Sequence, residues 1–217
     1  MRAAVIVFPG SNCDQDCFHV LKDVFHQEVR FVWHKETTLK NIDCVILPGG
    51  FSYGDYLRCG AIAKYSPIMP EIIRFAASGG PVIGICNGFQ ILVESGLLPG
   101  VLMRNKGLKF ICDSVNLKLV SNRCVFTKKS YVGGVFAMPI AHMEGNYFID
   151  EAGLAKLRDN EQIVFQYASG NPNGSLADIA GICNEKGNVL GMMPHPERVC
   201  EELLGGLGGK FLFEGVM

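Results

Sequence analysis

Pro81-Val82-Ile83-Gly84-Ile85-Cys86-Asn87-Gly88-Phe89-Gln90 is a short apolar run, then Gly-x-Cys-x-Gly, then the start of a helix-like stretch. A buried strand that turns at once into a helix around a reactive side chain is the nucleophile elbow of α/β folds, here with cysteine at its tip. Gly84 and Gly88 suit such a turn because it brings the strand and helix backbones close together. Cys86 is thereby predicted at a helix N-terminus, where free N–H groups and the helix dipole favour negative charge on the sulfur. The competing reading is a buried structural cysteine. With nine cysteines in the chain that reading is taken for Cys13, Cys17, Cys44, Cys59, Cys112, Cys124, Cys183 and Cys200, whereas both glycines and the strand-to-helix context favour a nucleophile at Cys86.

Outward from the elbow, residues 3–8, 29–33 and 44–47 are similar short apolar runs, bounded by Pro, Gly or Asn and separated by helix-like stretches at 14–26 and 68–77. That rhythm predicts an α/β fold with a mostly parallel central sheet flanked by helices. Beyond Gly100 the segments 107–120, 123–127 and 135–140 alternate more and carry turn residues between them, which predicts added, partly antiparallel strands in an additional small β-rich region. Strands at 164–167, 178–184 and 189–193 and a helix near 199–204 complete the expectation, with Gly205 to Gly209 as flexible punctuation. No repeat or linker divides the chain, so residues 1–217 are read as one domain.

Composition narrows the function. A formal net charge of −1 and no block of like charges leave no electrostatic footprint for nucleic acid or an anionic membrane. The opening run 3–8 is too short for a signal or membrane-spanning segment, which predicts a cytoplasmic protein. The cysteine count is odd and no Cys-x-x-Cys pair occurs, so reduced thiols and no metal site are expected. Asn173-Gly174-Ser175 is read only as a loop.

The run 44–47 opens into Pro48-Gly49-Gly50-Phe51-Ser52-Tyr53-Gly54-Asp55. If its strand neighbours the elbow strand, the loop's N–H groups, with that of Asn87, are placed to bind an oxyanion beside Cys86. Gly49 and Gly54 have Walker A spacing, but Asp55-Tyr56 stands where Lys-Ser or Lys-Thr is needed, which excludes a phosphate cradle. A base and its orienting carboxylate have two candidates. His195 and Glu197 in Met193-Pro194-His195-Pro196-Glu197-Arg198 follow one strand, and His142 and Glu144 in Ala141-His142-Met143-Glu144-Gly145 follow another. The residues alone do not choose between them. His19, His26 and His34 lack a partner motif and are read as solvated.

Together these segments, with Phe8-Pro9-Gly10-Ser11-Asn12-Cys13-Asp14, resemble the class I, or triad, glutamine amidotransferases nearly end to end. The Phe-Ser-Tyr-Gly-Asp loop and the Ala-His-x-Glu-Gly segment narrow the resemblance to the glutaminase subunits of phosphoribosylformylglycinamidine synthases. The resemblance implies Cys86 as nucleophile, His195 as base and Glu197 as its orienter. It also implies Gly50 in the oxyanion hole and Gln90 near the bound glutamine, beside the Asn87 N–H already read into the oxyanion site, with His142 and Glu144 close by without being the triad. It further implies no cofactor in this chain, with ATP and Mg used by a partner synthetase subunit, and a small bridging subunit as second partner. Met143 and the glycine-rich tail depart from the family pattern. A class I glutaminase serving another synthetase is the principal alternative. A cysteine α/β-hydrolase is disfavoured because Glu197 follows His195 by two residues instead of preceding it on a separate loop. A non-enzymatic regulatory module is the other alternative, in which Cys86 has no special reactivity.

Overall fold

In the computed structural model of residues 1–217, the short apolar runs become β1 (Arg2–Val7), β2 (Glu28–Trp33), β3 (Cys44–Leu47) and β4 (Val82–Ile85). They are followed by β5 (Val101–Met103), β6 (Ile111–Leu119), β7 (Val135–His142), β8 (Asn146–Phe148), β9 (Ile163–Tyr167), β10 (Ile179–Cys183) and β11 (Val189–Met192). Nine of these make one sheet in the order β2-β1-β3-β4-β11-β10-β9-β6-β7, and β5 pairs with β8 alone. The strands from β2 to β11 are parallel, and β10, β9, β6 and β7 extend the sheet antiparallel. Every residue of β3, β4 and β11 is buried, as expected for central parallel strands covered on both faces.

Helices α1 (Asp14–His19), α2 (Met69–Ala77), α3 (Asn87–Glu94), α4 (Glu151–Asp159) and α5 (Lys210–Glu214) complete the fold. All of α3 except Glu94 is buried, because it packs against β3, β4 and β11. The 14–26 stretch starts as α1 and continues as a π turn over Val20–Val24. No helix is long and apolar enough to cross a membrane.

Four expectations change. The additional small β-rich region is present as β5 with β8, but segments 107–120 and 135–140 lie outside it: their strands β6 and β7 lengthen the main sheet as antiparallel additions. Residues 123–127 form a turn, because Thr127 N–H bonds back to Cys124 O at 2.9 Å while Cys124, Phe126 and Thr127 are buried. The helix near 199–204 shrinks to a 3-10 turn at Glu202–Leu204, stopped by left-handed Gly205, and the helical segment comes later as α5, anchored by buried Leu212 and Phe213. The glycine tail is in part packed: a Cβ on Gly208 would lie 2.7 Å from Ala137 O, and one on Gly209 would collide with Pro196 O.

The sheet also curls. In sheet order β7 lies four strands beyond β11, about 19 Å if the sheet were flat, yet His195 N–H, just past β11, donates to Pro139 O of β7 at 2.9 Å. The far edge therefore folds back over the ends of β4 and β11 and becomes a wall of the site.

Candidate active site

The loops that follow β1, β3, β4 and β11 emerge side by side at the C-terminal ends of neighbouring parallel strands, the usual place for a ligand in an open α/β sheet. Asn12, Cys13, Gly50, Phe51, Cys86, Ala141, His195 and Arg198 line one small cavity there. The most spacious cavity lies at the other end of the strands, lined by Ile73, Ala77, Leu97 and Leu157 among others, and brings no nucleophile and base together.

Cys86 sits at φ 50°, ψ −107°, a backbone conformation that costs on the order of 1–3 kcal/mol and persists only where the surroundings enforce it. They do so closely. Cys86 N–H donates to Met192 O at 2.8 Å. A Cβ on Gly84 would lie 2.6 Å from the Gly88 carbonyl carbon, and a Cβ on Gly88 would collide with Leu47 O of β3. The two glycines thus let α3 leave the sheet at the angle that exposes the cysteine to the cavity.

The loop after β3 is stitched to the loop after β1. Asn12 and Cys13 N–H both donate to Gly49 O, at 3.3 and 3.2 Å, and Phe51 N–H donates to Gly10 O at 2.9 Å. Gly50, at φ +140°, leaves no room for a Cβ, which would lie 2.5 Å from Asn12 N. Its N–H donates to no group of the chain and borders the cavity with Cys86, as an oxyanion donor must. The buried Asn87 side chain accepts from Ser52 N–H at 3.1 Å and donates to Gln90 Oε1 at 2.9 Å; Gln90 Nε2 then donates to Glu144 O at 2.7 Å. The two side chains hold the loop, α3 and the segment after β7 in one register.

His195 Nδ1 lies 2.6 Å from Glu197 Oε1, and both side chains are almost fully enclosed. Pro196 opens the short 3-10 turn that folds Glu197 back onto the imidazole. Nε2 has no partner within the chain, which leaves it for the cavity. Burial opposes protonation of His195, yet Glu197, Cys86 and Cys13 outweigh it and hold its pKa well above the usual histidine range.

The geometry separates the two histidines that the sequence left level. His142 is buried against Asn105, with Nδ1 3.2 Å from Asn105 Oδ1. Glu144 turns elsewhere, accepting from Cys59 N–H at 3.4 Å and lying 3.6 Å from Arg104 Nε. Burial, helped by the charge of His195, pushes the His142 pKa down to about 4. Since an unfolded histidine titrates near 6.5, the unfolded chain binds the extra proton first. Stability conferred by neutral His142 is therefore complete above about pH 6.5 and is lost as pH falls toward 4, by roughly 3 kcal/mol in all. Urea midpoints at pH 7 and pH 4.5 are expected to differ less in His142→Gln than in the parent chain; an equal difference would sink this attribution.

Three further sequence readings change here, the simplest being Cys112, read as a buried structural thiol but exposed on β6. Cys13, read as core, borders the cavity: its Sγ accepts from Arg198 Nη2 at 3.0 Å, and Gly49 leaves open the space between that sulfur and the His195 ring. No spacing rule marks this thiol. His34, read as solvated, is buried and bonded through Nδ1 to Tyr53 Oη at 2.8 Å, holding the loop after β3 from outside. His19 and His26 are exposed enough to meet water, although His19 also pairs with Asp23 and Glu201.

A strained cysteine, a carboxylate-paired histidine and a free N–H on one α/β sheet make up a candidate site for a thiol nucleophile. Residues 1–205 match the model of the CobB/CobQ-like glutamine amidotransferase domain, and the chain belongs to that family. Among its relatives is the phosphoribosylformylglycinamidine synthase subunit PurQ of Alkaliphilus metalliredigens, 58% identical over 217 residues, covering 100% of this chain and 96% of the relative. A chain in the structure of PurLQS from Thermotoga maritima superimposes with a TM-score of 0.91 at 45% identity, covering 99% of this chain and 96% of that one. A glutamine amidotransferase from Thermotoga maritima, 17% identical, shares the fold at a TM-score of 0.63 over 100% of this chain and 98% of its own.

Proposed function

We infer that this chain is the glutaminase subunit of a phosphoribosylformylglycinamidine synthase. It hydrolyses glutamine and supplies the ammonia to a synthetase subunit, which converts formylglycinamide ribonucleotide to formylglycinamidine ribonucleotide in purine synthesis. The observation that carries the catalytic part is the enclosed His195–Glu197 pair, 2.6 Å apart, beside the strained Cys86.

In this reading the Cys86 sulfur attacks the carboxamide carbon of glutamine, and the charge that develops on the oxygen is taken by the N–H groups of Gly50 and Asn87, worth about 3 kcal/mol per donor. His195, held cationic by Glu197, passes its Nε2 proton to the departing nitrogen, and ammonia leaves a γ-glutamyl thioester on Cys86. His195, now neutral, takes a proton from water as that water attacks the thioester; glutamate departs and the sulfur and imidazolium are restored. Asn87 and Gln90 act through the loop and segment they tie together, while His142 and Glu144 form the wall beyond Cys86. No step calls for a cofactor on this chain. ATP and Mg belong to the synthetase, which a small bridging subunit joins to this one, and the complex is cytoplasmic.

The test is formation of formylglycinamidine ribonucleotide by purified synthetase and bridging subunits. Product is expected with glutamine only when this chain is added, and with ammonia in its absence. Partners that work on ammonia but never accept glutamine through this chain would refute the purine assignment and favour a glutaminase serving a different synthetase.

A further inference from the structure

Cys13 is a second thiol at the active site for which the hydrolysis of glutamine has no task. Its Sγ, a ring nitrogen of His195 and a carboxylate oxygen of Glu197 all lie within 4.8 Å of one another, and all three residues are buried. Cys86 borders the same cavity. Two polar atoms of the cluster, His195 Nε2 and Glu197 Oε2, are buried with no partner in the chain. We propose that this cluster is an inhibitory site for a thiophilic divalent cation, zinc above all, bound by Cys13 and His195 at the cavity that Cys86 borders.

The donor set fits. Thiolate and imidazole select zinc over magnesium or calcium, and tetrahedral zinc takes such ligands at about 2.0–2.3 Å, bringing donor atoms to within a few ångströms of each other. The His195–Glu197 bond already has the arrangement that zinc-bound histidines use, one ring nitrogen on a carboxylate and the other on the metal. Charge fits as well. With both thiols ionised, Cys13, Cys86 and Glu197 carry three negative charges against one on Arg198, whose Nη2 is 3.0 Å from Cys13 Sγ. A divalent cation beside a neutral His195 makes the cluster neutral. Binding releases the thiol and imidazolium protons to the buffer, so affinity rises with pH.

The inference rests on the catalytic reading for its inhibitory consequence, but not for binding itself. Magnesium for the synthetase is not a competitor, because these soft donors discriminate against it.

Zinc binding is to be measured by calorimetry without glutamine, in a Cys112→Ser background that removes the one exposed cysteine. One zinc per chain is expected, weakened at least tenfold by Cys13→Ser. In the glutaminase assay with the partner subunits, zinc should silence the parent chain reversibly, chelator restoring it. Cys13→Ser should need at least tenfold more zinc for half-inhibition relative to its own zinc-free rate. Cobalt in place of zinc should give the parent chain a near-ultraviolet thiolate-to-metal absorption, a readout that needs no variant. Absence of that absorption, or zinc affinity unchanged by Cys13→Ser, would overturn the proposal. Zinc binding in a chain with no glutaminase activity beside competent partners would instead overturn the catalytic reading and leave the metal site standing.

Discussion

Cys86→Ala is expected to remove glutamine-dependent formation of formylglycinamidine ribonucleotide by a factor on the order of 10⁴ to 10⁶, while ammonia-dependent formation by the same complex stays within a few-fold of the parent. The first half follows because no other thiol can take over. Cys13, the one nearby, has its Sγ against Arg198 and lies outside the elbow, so it lacks the neighbouring Asn87 N–H at its own turn. The second half follows because alanine fits the space. Cys86 is held by its backbone, through the N–H bond to Met192 O, and its sulfur makes only a long contact of 3.7 Å with Ala141 O. The strained φ of 50° remains whichever side chain is present. Loss of the ammonia reaction too would mean that the variant had disturbed docking, and substantial glutamine-dependent turnover would mean that the nucleophile is another residue.

Glu197→Gln is expected to lower kcat for glutamine by roughly 10³ to 10⁴, with KM little changed, because orienting carboxylates act on the transition state more than on substrate binding. The pH profile carries the more specific signature. Burial works against the His195 cation, and Glu197 foremost overcomes it. With the carboxylate gone, the imidazolium loses its proton at lower pH, and the alkaline limb of kcat/KM moves to lower pH. The linked stability has the same sign: the favourable charge on His195 is fully present below its unfolded pKa near 6.5 and is lost as pH rises through the raised folded value. A variant whose rate falls while its pH profile stays in place would show that Glu197 only packs the turn.

The parallel half of the sheet and the elbow could be read from residues because local chemistry and tertiary position agree there. Val82 to Ile85 is apolar throughout since both faces are covered, and Gly84 and Gly88 are glycine since each backbone meets another. What the residues could not give was distance. His142-x-Glu144 and His195-x-Glu197 are equivalent as strings, and what separates them is that Glu197 turns back on a proline-led turn while Glu144 is drawn off toward Cys59 and Arg104. Cys13 was misread for a related reason. Its place beside His195 depends on two N–H bonds to Gly49 O that join loops 36 positions apart, and no periodicity encodes such a bond. The small β-rich region exists as β5 with β8, but its residues were misassigned, because alternation shows that a strand has two unlike faces, not which sheet it joins.

The position of β11 has a bearing on how the molecule comes into being. This strand, near residue 190, sits between β4 and β10 and brings His195 to an elbow made a hundred residues earlier. While the ribosome is still adding residues, β4 is an open, wholly apolar edge, the kind of surface that invites aggregation or chaperone capture. On the reading that His195 is the base, an emerging chain carries its thiol without that base until β11 is in place. One of the last segments of the chain thus both closes the sheet and brings His195 to the cavity of Cys86.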